Sequence, residues 1–188
     1  MRTLRQQVRT SLVAATLAMP LAANAFDSMS FEIGRSDSSN ADVDMARVGA
    51  QWKWGPRWAV GSSWHIGGYW DVSVGYWNNR TDPTLRTGGS VADIGFTPTF
   101  RLQSNDPSGV GPYVEAAIGF HLLSRTSVST QRAFGSSFQF GDHFGAGVRF
   151  GQRGVYDLSY RYQHLSNGGI KAPNQGINFH LIRLQYHF

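Results

Sequence analysis

The chain has 188 residues, no cysteine and a formal charge of +5, with 41% hydrophobic and 15% charged side chains. The lack of cysteine excludes disulfides and thiolate metal sites. Residues 1 to 25 carry three of the 17 basic residues and none of the 12 acidic ones, so 14 bases face 12 acids in the remainder. So small and dispersed a surplus is not the clustered lysine and arginine footprint of a nucleic-acid binder, and nucleic acid is excluded as a partner.

Taken in chain order, Arg2, Arg5 and Arg9 precede an apolar stretch from Leu12 to Ala23, and Ala23-Asn24-Ala25 forms a small-x-small cleavage site. That order predicts a signal peptide over residues 1–25 and a single exported domain over 26–188. Thr16 and Pro20 interrupt the stretch, which also falls short of the roughly 20 residues that a spanning helix needs.

Beyond the leader no long segment repeats apolar residues at helical spacing, and strict alternation recurs instead. A first strand is predicted near residues 28–35. Val48, Ala50, Trp52 and Trp54 oppose Arg47, Gly49, Gln51 and Lys53; Ile66, Trp70, Val72, Val74 and Tyr76 oppose His65, Tyr69, Asp71 and Ser73. Further alternating runs surround Phe96, Ile118 and Phe144, and Pro98 predicts a local bulge or kink. A seventh strand lies near 154–165. The eighth sends Ile182, Leu184, Tyr186 and Phe188 to one face and Arg183, Gln185 and His187 to the other.

Connections near 36–42, 78–89, 124–135 and 166–177 fall at one end and those near 55–63, 104–110 and 151–153 at the other, and three of the first set, 78–89, 124–135 and 166–177, are longer than any of the second. Long loops at one end, short turns at the other and tryptophan and tyrosine at strand ends predict an all-β, eight-stranded antiparallel transmembrane β-barrel of the bacterial outer membrane. The terminal pattern ending in Phe188 resembles the C-terminal signal of outer-membrane barrels. A soluble sandwich or lipocalin-like barrel shares the alternation and is the competing fold. Inward parity places His121 and His143 with Glu115, Asp71, Asp93 and Arg149, which reads as a polar lumen plug rather than a metal site. No metal or organic cofactor is expected.

On the seventh strand the outward row Tyr156, Leu158, Tyr160, Tyr162 continues into His164 and Ser166. Residues two apart on a strand point the same way with Cα atoms about 6–7 Å apart, within reach of an imidazole to a hydroxyl. Counting back by twos from Phe188 puts His180 and Asn178 on the same face of the last strand. Gly168 and Gly169 can offer backbone N–H groups to an oxyanion, and Asn174 a side-chain donor. With both termini in the periplasm, this site faces the outer leaflet, where lipopolysaccharide resides.

The segment His164-Leu165-Ser166-Asn167-Gly168-Gly169-Ile170-Lys171-Ala172-Pro173-Asn174-Gln175-Gly176-Ile177 closely resembles the signature of the PagL family of lipid A 3-O-deacylases. Val48 to Trp54, Gly68 to Trp77 and Pro112 to Gly119 add weaker similarity. The resemblance implies a serine esterase on an eight-stranded outer-membrane barrel, with Ser166 as nucleophile, His164 as base and lipid A as substrate. It implies release of a 3-hydroxy fatty acid, with Gly168, Gly169 and Asn174 at the oxyanion hole. The third triad position departs, since Asn178 stands where the family carries glutamate; an amide can orient the histidine but brings no negative charge.

The competing functions are an outer-membrane phospholipase or acyltransferase and a non-enzymatic structural barrel. Lys171, Arg125 and Arg132 fall in or near the long loops, where they could pair with lipid A phosphates. His180 is read as an interfacial histidine, and the sequence leaves open whether the barrel works alone or as a homodimer. The leader is checked directly: the intact mass of the protein recovered from membranes should correspond to a chain beginning at Phe26.

Overall fold

The computed structural model describes residues 26–37, 41–80, 90–106, 108–129 and 131–188, and the expected leader lies outside them. Strands run over β1 (Ser28–Ser36), β2 (Val43–Lys53), β3 (Trp58–Val60), β4 (Trp64–Asn79), β5 (Val91–Ser104), β6 (Gly111–Leu123), β7 (Phe138–Phe150), β8 (Tyr156–Ser166) and β9 (Ile177–His187). All pairings are antiparallel between chain neighbours, except that β2 skips β3 to pair with β4 and β1 pairs with β9. These two pairings close eight long strands into a barrel. β3, which the sequence did not reveal, forms a short hairpin with the start of β4 at the turn end.

The alternation read from the sequence sets the two faces. Phe31, Ile33, Val74, Ile94, Ile118, Phe144, Ile182 and Leu184 lie outside and exposed, while Glu32, Arg47, Asp93, Arg101, Glu115, Asp157, Arg161 and Arg183 lie buried within. Such an inverted distribution suits a solvent of lipid. Aromatic side chains gather near both ends of the outer surface. Trp54 packs against Trp70 and Phe100 at the turn end, and Phe120, Phe138 and Phe140 cluster at the other.

Inside, arginines and carboxylates form one continuous network. Arg161 reaches Glu115 at 2.6 Å and Glu32 at 2.7 Å; Arg101 reaches Asp157 at 2.6 Å and Glu115 at 2.8 Å. Arg47 bridges Glu32 and Asp93, and Arg183 meets Asp71 at 3.1 Å. His121 Nδ1 lies 2.8 Å from Asp93 Oδ1, and His143 Nε2 lies 3.8 Å from Glu115 Oε1. Of the histidines expected in a polar plug, His121 is therefore hydrogen-bonded to Asp93, whereas His143 is buried beside Glu115 and its Nε2 makes no hydrogen bond among the described residues. Arg149 is the exception: half-buried at the turn end, it donates to the Gly154 carbonyl.

The lumen is not polar throughout, as the sequence suggested. At the long-loop end, Val43, Met45, Trp77, Val91, Leu123, Leu165, Ile177, Phe179 and Leu181 form an apolar layer, completed by Val128 and Phe134 from the loop after β6. Pro98 brings no bulge either. The β5–β6 register is the same on both sides of it, and the ladder merely lacks pairing at Thr97 and Pro98. Gly119 makes room there, since a Cβ at that residue would sit 2.2 Å from Thr97 Oγ1.

Removing one partner from a buried ionic network leaves its counter-charges uncompensated. Glu115→Ala should therefore destabilise the barrel by about 3–5 kcal/mol, read as a lower urea midpoint for unfolding from lipid vesicles.

Candidate active site

The site stands on the last residues of β8 and the first of β9, at the end of the barrel opposite the Ser28–His187 pairing. Leu165 points inward and is fully buried in the apolar layer, which forces His164 and Ser166, its chain neighbours, to the outer face. Ile177 and Phe179 do the same for Asn178 on β9. His164 and Asn178 are direct cross-strand partners.

His164 Nδ1–H donates to Asn178 Oδ1 at 2.6 Å. That bond fixes the tautomer and leaves Nε2 with its lone pair free to act as a base. Ser166 lies two residues on along the same face, and its hydroxyl has no hydrogen-bond partner among the described residues. Both side chains are half-buried. The three residues expected at the triad are thus brought to one outward corner of the barrel.

Gly176 adds a constraint the sequence did not single out. Its φ of +63° favours glycine, and a Cβ there would approach His164 Cε1 to 2.7 Å and Nε2 to 3.3 Å. The backbone at Gly176 therefore packs against the imidazole.

The loop between β8 and β9 is organised by Asn167, a buried residue that sequence reasoning missed. Its Nδ2 donates to the Lys171 carbonyl at 2.6 Å, its Oδ1 accepts from Gly169 N–H at 3.0 Å, and its own N–H donates to Asn174 Oδ1 at 2.9 Å. Of the expected oxyanion donors, the Gly169 N–H is consequently engaged inside the loop. The Gly168 N–H and Asn174 Nδ2 have no partner among the described residues.

The loop after β6 braces this segment. Phe134 bridges to Asn174, Ala133 N–H donates to Gln175 Oε1, and Arg132 donates to the Gly176 carbonyl. Arg132 thus holds the segment beside Ser166 and is not an unengaged phosphate ligand. Lys171 and Arg125 remain exposed. His180, expected as an interfacial residue, meets the Tyr160 hydroxyl through Nδ1 and packs against the Tyr162 ring.

Two further acids share the outward corner. Asp142 on β7 is the cross-strand partner of His164 on the side away from Asn178. Asp37, just past β1, accepts from the Tyr162 hydroxyl at 3.0 Å and from Asn178 Nδ2 at 3.3 Å, all through Oδ2. An outward-parity reading of β7 would have found Asp142. Finding Asp37 needs the register across barrel closure.

Closed antiparallel strands with an apolar exterior and an ion-paired lumen capped by one apolar layer define a transmembrane β-barrel, here with His164 and Ser166 on its outer face at the long-loop end. The family described as lipid A 3-O-deacylase (PagL) matches residues 44–187, and the chain belongs to that family. A lipid A deacylase PagL from Pseudomonas aeruginosa is 30% identical over 131 residues, 70% of each chain. One from Bordetella bronchiseptica is 38% identical over 103 residues, covering 55% of this chain and 54% of that relative. The crystal structure of the outer membrane enzyme PagL superposes with a TM-score of 0.74 and 29% identity, over 86% of this chain and 99% of that one. Neisserial surface protein A, at TM-score 0.51 and 14% identity over 86% and 95% of the two chains, shares the fold alone. The fold is accordingly that of an outer-membrane β-barrel enzyme.

Gly176→Ala would push its new methyl into the His164 ring. With His164 as the base proposed below, a displacement of about 1 Å costs on the order of a hundredfold in rate, so lipid A deacylation should fall by about that factor while the barrel still shows heat-modifiable migration on a gel.

Proposed function

We propose that this chain hydrolyses the ester-linked acyl chain at position 3 of lipid A by a serine-histidine mechanism and releases a 3-hydroxy fatty acid. The observation that carries this reading is the 2.6 Å bond from His164 Nδ1 to Asn178 Oδ1, with Ser166 next on the same outward row. The bond supplies an oriented base, and the row supplies its nucleophile.

Ser166 Oγ attacks the ester carbonyl while His164 Nε2 takes its proton. The charge that develops on the carbonyl oxygen meets the Gly168 N–H and Asn174 Nδ2, two exposed donors of the loop that no other group engages among the described residues. As the tetrahedral intermediate collapses, His164 returns the proton to the departing sugar 3-hydroxyl, leaving the acyl group on Ser166. Water, deprotonated by His164, then attacks that acyl-enzyme. The fatty acid leaves and the serine hydroxyl is restored.

An exterior site opens laterally, so a substrate anchored in the membrane reaches it without leaving the bilayer. With the Ser28–His187 end toward the periplasm, the site stands at the outer leaflet and faces lipopolysaccharide. The chemistry needs neither metal nor organic cofactor, because the nucleophile, base and oxyanion donors all belong to the chain.

Mass spectrometry of lipid A from cells producing the wild-type chain should show loss of one 3-hydroxyacyl group. Ser166→Ala, inserted to the same level, should leave lipid A intact. A phospholipid turned over instead of lipid A would replace the substrate in this reading, and an active Ser166→Ala chain would remove its nucleophile.

A further inference from the structure

Four side chains stand in one cross-strand row on the outer surface. Asp142 pairs with His164 across β7 and β8, and His164 pairs with Asn178 across β8 and β9. The β1–β9 ladder then continues one step past Ser36 and Phe179, where Asp37 N–H donates to the Asn178 carbonyl at 3.3 Å. Asp37 therefore sits beside Asn178 with the same outward parity as Ile33 and Arg35.

The hydrogen bonds along this row have a fixed direction. An ionised carboxylate only accepts, so Asp37 Oδ2 must receive the amide Nδ2–H of Asn178. That turns Asn178 Oδ1 toward the histidine, and Oδ1 in turn only accepts, so His164 must carry its proton on Nδ1. The basic lone pair is thereby left on Nε2. The Tyr162 hydroxyl, donating to the same Oδ2 at 3.0 Å, holds the carboxylate in place. Asp142 makes no hydrogen bond or ion pair among the described residues, so the connected acid is Asp37.

We infer that Asp37 is a positioning residue for catalysis: through the Asn178 amide it sets the His164 tautomer and supplies the negative charge that Asn178 lacks. The inference rests on the Ser166-His164 reading above. Asp37 hydrogen-bonds to neither His164 nor Ser166, and its influence passes through Asn178. As the protonated imidazole forms, the carboxylate stabilises it from the far side of a polarised amide. The ionisable groups around this corner are Asp142 on β7, Tyr162 on β8, His180 on β9, Arg35 on β1 and, from the loop after β6, Arg132, which donates to the Gly176 carbonyl. Arg35 is engaged by Asp44 and Asp42, and His180 by Tyr160.

The test separates charge from orientation. Asp37→Asn keeps an oxygen that can accept from the Asn178 amide while removing the charge, whereas Asp37→Leu removes both. Lipid A deacylation is assayed on purified barrels, with Ser166→Ala alongside. Asp37→Asn should lower kcat about tenfold with KM unchanged, because one charge acts through a partly screened separation. It should also move the acid limb of kcat/KM to lower pH, since the imidazolium loses its counter-charge; Asp37→Leu should lower kcat further.

The second comparison uses Asn178→Glu, which places a carboxylate directly on the histidine and a like charge beside Asp37. In that background Asp37→Asn should cause no further fall and should raise kcat. An unmoved acid limb, or an equal loss of kcat in both backgrounds, would overturn the inference and leave the serine mechanism standing. Activity surviving in Ser166→Ala would overturn the serine mechanism itself.

Discussion

Lipid offers the backbone no hydrogen bonds, so every strand of a spanning sheet must find a partner on both sides. Closure of the ladder between β1 and β9 and between β2 and β4 meets that demand, and most of the remaining structure follows from it. Once the sheet is closed, strict alternation leaves each strand one lipid face and one lumen face. The charged residues that the lumen collects neutralise one another in the Arg47, Arg101, Arg161 and Arg183 network. Closure also joins the first strand to the last, which is how Asp37 comes to stand beside Asn178.

The lumen changes character along its length, and the change bears on the site. In the middle, ion pairs fill the space; at the long-loop end, apolar side chains from strands and from the loop after β6 replace them. Close-packed apolar contacts hold their members in single rotamers. Leu165, Ile177 and Phe179 therefore anchor the backbone at the residues between the functional ones, and period two turns that inward order into outward aim. His164, Ser166 and Asn178 owe their common face to a layer of which they are not members.

How far the sequence could be read depended on which relation a feature required. Parity within one strand needs no knowledge of neighbours, so the outward face of Ile182, Leu184 and Tyr186 was legible, and so were the His164-Ser166 row and the outward Asn178. Pairing across closure is different: Asn178 and Asp37 are separated by 141 positions, and only the register brings them together. Loop contributions were equally hidden. Nothing in alternation predicts that Val128 and Phe134 plug the lumen, that Arg132 clamps Gly176, or that Asn167 folds its own loop. Pro98 misled in the opposite direction, because a strand can lose a donor there and keep its register when a glycine on the neighbouring strand yields space.

In the proposed mechanism, an amide at the third triad position, with its acid one strand further away, also answers a difficulty of catalysis at a membrane surface. A carboxylate hydrogen-bonded to the histidine must be desolvated where the site meets lipid, and stripping water from a charge is costly. Asn178 carries only a dipole at that half-buried position, while Asp37 is exposed at the end of β1 and keeps its hydration. The same hydration screens its field. On the proposed reading, orientation would be delivered through two directional hydrogen bonds and charge stabilisation only weakly, so that the arrangement would favour a fixed tautomer over a strongly stabilised imidazolium.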